Sequence, residues 1–192
     1  MPQKEETKYH ILLAAIETIE ALGVQNVTTR AIAERAGVNN AALHYYYGTK
    51  ERLVEEAMGL SLQHWLEDTS EQLANPGSAR EKLSAMFDYL IDGDLRYPNL
   101  IRAHLYAPLM EGQPKTALMR VFATWLEQTC AVLDPLFPQR RAELRMAVFA
   151  AILALLNAGL MPALPGHPEL DLRDDAARKR FVDYLVNSIL GN

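Results

Sequence analysis

Asn40, His44, Tyr45 and Lys50 fall within one short stretch, AGVNNAALHYYYGTKERL at residues 36–53, rich in amide and aromatic side chains and poor in acids. Asn40 and His44 stand one helical turn apart, as do Ala41 and Tyr45, so a helix presents all four on one outward side. Leu43 and Tyr47 share that spacing on the opposite, inward side, with Tyr46 at the edge between core and surface. Short amide and imidazole groups approach base edges closely, and a flat aromatic ring packs on a sugar or a thymine methyl. Lys50 follows Gly48 and Thr49, where a new helix starts, and a helix N-terminus with a lysine can hold one phosphate. The chemistry implied is non-covalent recognition of a nucleic-acid duplex.

The charge balance limits where such contact can occur. The chain carries 19 Lys and Arg against 24 Asp and Glu, a net charge of −5. Between Ala21 and Lys50, however, Glu34 is the only acid, against Arg30, Arg35 and Lys50. A local basic surface on an acidic protein suffices for phosphate contact. Arg35 reads as a solvated charge.

Other chemistries lack support. The 10 glycines assemble neither a phosphate-binding loop nor a dinucleotide fingerprint, and no G-x-S-x-G elbow is present. The five histidines make no H-x₃-H pair, and Cys130 is the only cysteine, so neither a metal knuckle nor an internal disulfide is expected. Asp92-Gly93-Asp94 lacks the downstream ligands of a calcium loop and reads as a solvated helix irregularity. No metal and no cofactor are expected, and nothing points to an enzyme.

The start of the chain, MPQKEETKYH, has no basic region followed by an apolar one, so a cytoplasmic location is expected. Residues 146–164, MAVFAAILALLNAGLMPAL, approach the length of a membrane span, but Asn157, Gly159 and Pro162 interrupt the second half. The reading favoured is a helix buried in a core or a subunit interface, with no membrane partner.

The elements that must position the outward residues are helical. Apolar residues make up 49% of the chain, and clusters of β-branched residues are scarce. A first helix is predicted over about 5–22, stopped by Gly23. Thr28 caps a second over 29–36, and Asn39 caps a third over 40–47. Thr49 caps a long fourth over 50–73, before the break NPGS. Further helices are predicted from Pro98 to about Glu111, with Pro108 a candidate kink, and then over 115–133, 139–161 and 174–190, separated by GQP, DPLFP and PALPGHPELD. Ala33, Gly37, Val38 and Leu43 suit a tight joint between the second and third helices, a helix-turn-helix that lays its second helix in a major groove.

TTRAIAERAGVNNAALHYYYGTKERL resembles the DNA-binding region of the TetR (tetracycline-repressor-like) family of bacterial regulators. Shared features are the Thr-Arg opening of the second helix, Ile-Ala, Ala-Gly-Val, a short helix ending in aromatic residues and Gly, and Thr-Lys-Glu. The resemblance is specific over about residues 10–58, and beyond that it rests on helix number and order. It implies an all-α chain of about nine helices. Residues 1–49 would form a helix-turn-helix DNA-binding domain, and 50–192 a helical effector-binding and dimerisation domain. It also implies a homodimeric repressor of a palindromic double-stranded DNA operator, released by a small molecule. By position, Thr29 and Arg30 resemble family DNA contacts, Asn40, Ala41, His44 and Tyr45 map to the recognition face, and Lys50 maps to the phosphate lysine. Tyr46 stands where His is usual and Tyr47 where Phe is usual, so a buried Tyr47 hydroxyl needs a partner.

The resemblance places the effector among the middle helices. Leu62, Trp65, Met86, Leu90, Leu105, Phe122 and Trp125 suit an apolar or aromatic ligand, and Arg102 and His104 are polar candidates. Val148, Ile152 and Leu155, with Phe181, Leu185 and Ile189 on the last helix, are the candidate dimer interface. A helical-bundle enzyme or carrier, or a protein-interaction module, are the alternative functions.

Overall fold

The computed structural model describes residues 2–113 and 115–191. Among these, nine α-helices account for the architecture, with short 3-10 turns between some of them. Helix α1 (Pro2–Leu22) ends where Gly23 takes φ +75°. Each of the next three helices starts on a side-chain cap that the sequence predicts. Thr28 Oγ1 accepts the Ala31 amide at 3.1 Å to open α2 (Thr29–Arg35). Asn39 Oδ1 accepts the Ala42 amide at 2.9 Å to open α3 (Asn40–Tyr47). Thr49 Oγ1 accepts the Arg52 amide at 3.2 Å to open α4 (Lys50–Ala74). Such a cap is worth about 1 kcal/mol relative to alanine. Gly37 at φ +64° makes the joint between α2 and α3, a conformation that costs residues with a Cβ.

Five further helices follow. Helix α5 (Ala79–Arg96) opens on a capping box between Ser78 and Glu81, and α6 (Pro98–Met110) carries Pro98 in its first turn. Next come α7 (Ala117–Leu133), α8 (Arg141–Leu160) and α9 (Asp175–Leu190). The break predicted at GQP includes Pro114, which lies outside the described residues.

Two main cores result. Ile11, Ile19, Ile32, Leu43, Tyr47 and Leu53 join α1 to α4 around the helix-turn-helix. Phe87, Ile91, Trp125, Leu144, Val148 and Val186 join α5, α7, α8 and α9. Burying each such side chain contributes roughly 1.5–3 kcal/mol. Helix α4 belongs to both, through Leu53 and Ala57 near its start and Leu73 at its end.

Helix α8 corrects one expectation. The segment Pro138–Leu160 is long and apolar enough to cross a membrane by length and composition alone. It instead packs against α5, α6, α7 and α9. Val148, Ile152 and Leu155 are turned into this chain's own core, as are Leu185 and Ile189 of α9, and Phe181 is half-buried. Of these six, Phe181 alone keeps surface that a second copy could reach. The apolar face that α8 leaves exposed is Met146, Phe149 and Leu153, at 68%, 48% and 47%. Helical periodicity shows that two apolar faces exist, but which one the subunit covers is a matter of tertiary packing.

Candidate nucleic-acid interface and effector cavity

The surface of α3 is built from below by Leu43 and Tyr47, which are 2% and 1% exposed. The Tyr47 hydroxyl donates to the Lys8 carbonyl at 2.6 Å, the partner that a buried phenol requires, and burial pushes its ionisation upward. This bond ties α3 to α1. Tyr47→Phe keeps the ring and removes the donor, so it should cost about 1–2 kcal/mol of stability. Denaturant titration checks this, and an unchanged midpoint would show that the bond contributes nothing.

On the outer side, Asn40, Ala41, His44 and Tyr45 are all exposed, Tyr45 to 70%. The His44 Nδ1 lies 2.9 Å from the Gly48 carbonyl. A carbonyl oxygen only accepts, so Nδ1 carries the hydrogen and neutral His44 is left with Nε2 as an acceptor. Tyr45 is braced by Lys4, whose Nζ donates to its hydroxyl at 3.2 Å and lies 5.0 Å from its ring centroid. Tyr46 is half-buried and meets Tyr45 edge-on.

The flanking cations differ in freedom. Arg30 is exposed at the start of α2, beside the half-buried Thr29. Arg35 pairs with Glu17 at 3.4 Å, in keeping with a solvated charge. Lys50 is half-buried and donates to the Val27 carbonyl at 3.3 Å, so its ammonium is held in place at the α4 N-terminus with two donors left.

A cavity of about 70 Å³ lies between α4, α5, α6, α7 and α8. Of the residues expected there, Leu62, Trp65, Leu90, His104, Leu105 and Phe122 line it. Met86 and Trp125 do not, being fully buried in the core beneath. Arg102 is exposed and bonds Asn99 at 3.0 Å, on the far side of its helix from the cavity residues Ile101 and Leu105. Ile152 and Leu155, expected at a dimer interface, are instead part of this wall.

Sequence reasoning missed Asp94. The DGD segment was expected to be solvated, yet Asp94 is only 5% exposed and lines the cavity. It continues the buried stripe Leu83, Met86, Phe87, Leu90 and Ile91 at helical spacing, which is the signal that could have found it. Gly159 of α8 makes room. A Cβ there would lie 2.7 Å from the Asp94 Cβ and 3.1 Å from its carbonyl oxygen. Burial raises the Asp94 pKa from its ordinary value to about 7. Desolvation pushes the half-buried His104 down to about 4, so it is neutral at physiological pH. Its Nε2 lies 2.8 Å from Ser61 Oγ, which itself donates to the Met58 carbonyl. Among the described residues, no group of three or more His, Cys, Asp or Glu could hold a metal ion.

A capped helix-turn-helix carried on a helical body with its own cavity defines a helix-turn-helix transcriptional regulator. Residues 11–57 match the family described as bacterial regulatory proteins, tetR family. The regulator BetI of Agrobacterium fabrum is 32% identical over 143 residues, 73% of this chain and 69% of that protein. BetI of Burkholderia mallei is 26% identical over 186 residues, covering 95% and 93%. Among solved structures, a TetR family transcription regulator from Marinobacter aquaeolei superposes with a TM-score of 0.65 at 18% identity, covering 98% of each chain. FadR of Bacillus subtilis in complex with stearoyl-CoA gives 0.58 at 18%, covering 94% and 98%. The chain belongs to the TetR family of transcriptional regulators and is not an enzyme.

Proposed function

We propose that the protein is a cytoplasmic, ligand-responsive repressor that binds a palindromic operator as a homodimer and releases it when a small molecule enters the cavity. The observation that carries this reading is the rigidly supported, exposed outer face of α3. Its polar and aromatic groups are exposed, between the exposed Arg30 and the positioned Lys50. Asn40, His44 and Ala41 would meet base edges, and Thr29, Arg30, Tyr45 and Lys50 the backbone. The helix-turn-helix ends at residue 49, and α4 carries it onto the effector and dimerisation body of residues 50–192.

The exposed stripe Met146, Phe149 and Leu153 of α8 is the proposed dimer surface, in place of the residues that the chain buries itself. A two-fold axis through it would space two recognition helices for successive half-sites.

Two helices connect cavity to operator face. Helix α4 carries Leu62 and Trp65 at the cavity and Lys50 at the DNA end. Helix α6 carries His104 and Leu105 at the cavity, and its first turn grips α1: Leu100 N–H donates to Glu20 Oε2 at 2.9 Å and Asn99 to the Glu20 carbonyl at 2.8 Å. A ligand that displaces either helix changes how the helix-turn-helix sits. Release requires tighter binding to the displaced state, each tenfold preference being about 1.4 kcal/mol per site. That a fold neighbour was solved in complex with stearoyl-CoA supports the small-molecule half of this reading.

The test is a gel shift on DNA upstream of the protein's own gene, with two variants measured at two salt concentrations. Lys50→Ala should weaken specific and scrambled DNA alike and reduce the salt slope by about two units for a dimer. His44→Ala should relax sequence preference, costing roughly 1–3 kcal/mol per half-site at one base pair. Equal losses on both DNAs for His44→Ala, or an intact slope for Lys50→Ala, would reverse these two assignments.

A further inference from the structure

The Asp94 side chain has no hydrogen-bond or ion-pair partner among the described residues, although the residue is only 5% exposed. Its neighbours on the chain are accounted for: Asp92 pairs with Arg96 at 2.7 Å. A buried carboxylate without donors is costly, and burial alone sets its raised pKa. The fold has nevertheless made space for it, since Gly159 is the residue that lets α8 close over this side chain.

The surroundings define what would satisfy it. No basic side chain lines the cavity: its other polar members are Ser61 and His104, which bond each other, and His104 is neutral. The remaining wall is apolar, with Trp65 and Phe122 forming an aromatic corner, ring centroids 5.7 Å apart. Asp94 also borders an outer cleft that opens between α1, α4, α5 and α6. The charged residues of that cleft are Glu17, Glu20, Asp68, Asp92 and Arg96 besides Asp94, so its mouth is negative. Such a mouth draws in cations and repels anions.

We infer that the effector is an organic monocation bearing N–H donors on an apolar or aromatic body, with its ammonium or amidinium group bonded to Asp94 and its body against Trp65 and Phe122. This rests on the reading of the cavity as the effector site. An N–H cation supplies both things the carboxylate lacks, a counter-charge and hydrogen bonds, in a charge-assisted pair. An aromatic body adds stacking and, where the charge overlies a ring, cation–π attraction. A carboxylic acid or an acyl phosphate would bring a second negative charge beside Asp94 with no cation to receive it.

The experiment compares three ligands of one shape, phenylbutylamine, phenylbutanol and phenylbutyrate, on the full-length protein by calorimetry and thermal shift. The amine should bind at least about tenfold tighter than the alcohol, and the acid weakest of all. In Asp94→Asn the amine should lose that advantage while the alcohol stays within about threefold of its wild-type affinity. An amine that binds no better than the alcohol in the wild-type protein overturns the inference, and this comparison needs no variant. So does an advantage that survives in Asp94→Asn. Operator release is read in the same samples: an amine that binds through Asp94 without releasing DNA leaves the inference standing and overturns the induction mechanism instead.

Discussion

Arginine at both Phe149 and Leu153 should give a folded monomer that has lost operator binding. The two side chains are about half exposed in the single chain, so replacing them disturbs little of the subunit's own packing. Residues of that size and polarity left open on a helix are what a partner would cover. Two arginines at a symmetric contact meet their own copies across the axis, and burying those unpaired charges costs far more than the interface can return. A monomer engages one half-site rather than two, and operator affinity should fall by about a thousandfold or more. Sedimentation gives the oligomeric state and a gel shift the affinity. The proposed surface is wrong if the double variant remains a dimer, and the two-fold reading of the operator is wrong if a monomer binds as tightly. Val148→Arg, by contrast, should unfold the chain, because Val148 is fully buried in the subunit core.

The second large effect lies in the stability of Asp94→Asn as a function of pH. The folded-state pKa of Asp94 is raised to about 7 by burial, against an ordinary value of 3.8. Below the ordinary value both folded and unfolded chains hold the proton, and the buried group costs nothing electrostatic. As pH rises towards 7 the unfolded chain gives up its proton and the folded chain keeps it, so folding loses stability progressively, until above 7 the folded carboxyl ionises too. Asparagine cannot ionise. The stability difference between Asp94→Asn and wild type should therefore shift in favour of the variant by about 2 kcal/mol from about pH 5.5 to about pH 8. Other ionisable groups face the same clefts in both proteins: Glu17 and Glu20 from α1, His64 and Asp68 from α4, Tyr89, Asp92 and Arg96 from α5, Tyr97 after it, and His104 from α6. The cavity-lining side chains of α7 and α8 are apolar. Taking the difference between the two proteins cancels those contributions. A difference that does not vary with pH would mean that Asp94 stays solvated. Saturating amine should abolish most of the wild-type loss at high pH, since a bound cation restores the favourable ionised state.

Much of the helix-turn-helix was legible in the sequence, because its signals are local. Caps, turn glycines and apolar spacing act within a few residues, and α3 spans Asn40–Tyr47 as the sequence predicts. Thr28, Asn39 and Thr49 each cap the helix assigned to them. Even the need for a partner at Tyr47 could be read from its expected burial, although only the folded chain identifies it as the Lys8 carbonyl.

The other half of the chain was legible as helices and not as faces. Helix α8 is apolar on two sides, so its composition is the same whichever side the subunit covers. Val148, Ile152 and Leu155 went to the subunit's own core, and Met146, Phe149 and Leu153 were left outside, through the way α5, α6, α7 and α9 pack around it. Arg102 and His104 stand two residues apart on α6, and only the rotation of that helix puts His104 at the cavity and Arg102 in solvent. Asp94 is the sharpest case. By itself an aspartate beside glycine and a second aspartate belongs in water, because desolvating a carboxylate is costly. The close approach of α8 at Gly159 overrides that preference. Helix formation is thus set by the chain's neighbouring residues, while the partner of each helix face, and with it the character of the cavity, is set by contacts between residues far apart in sequence.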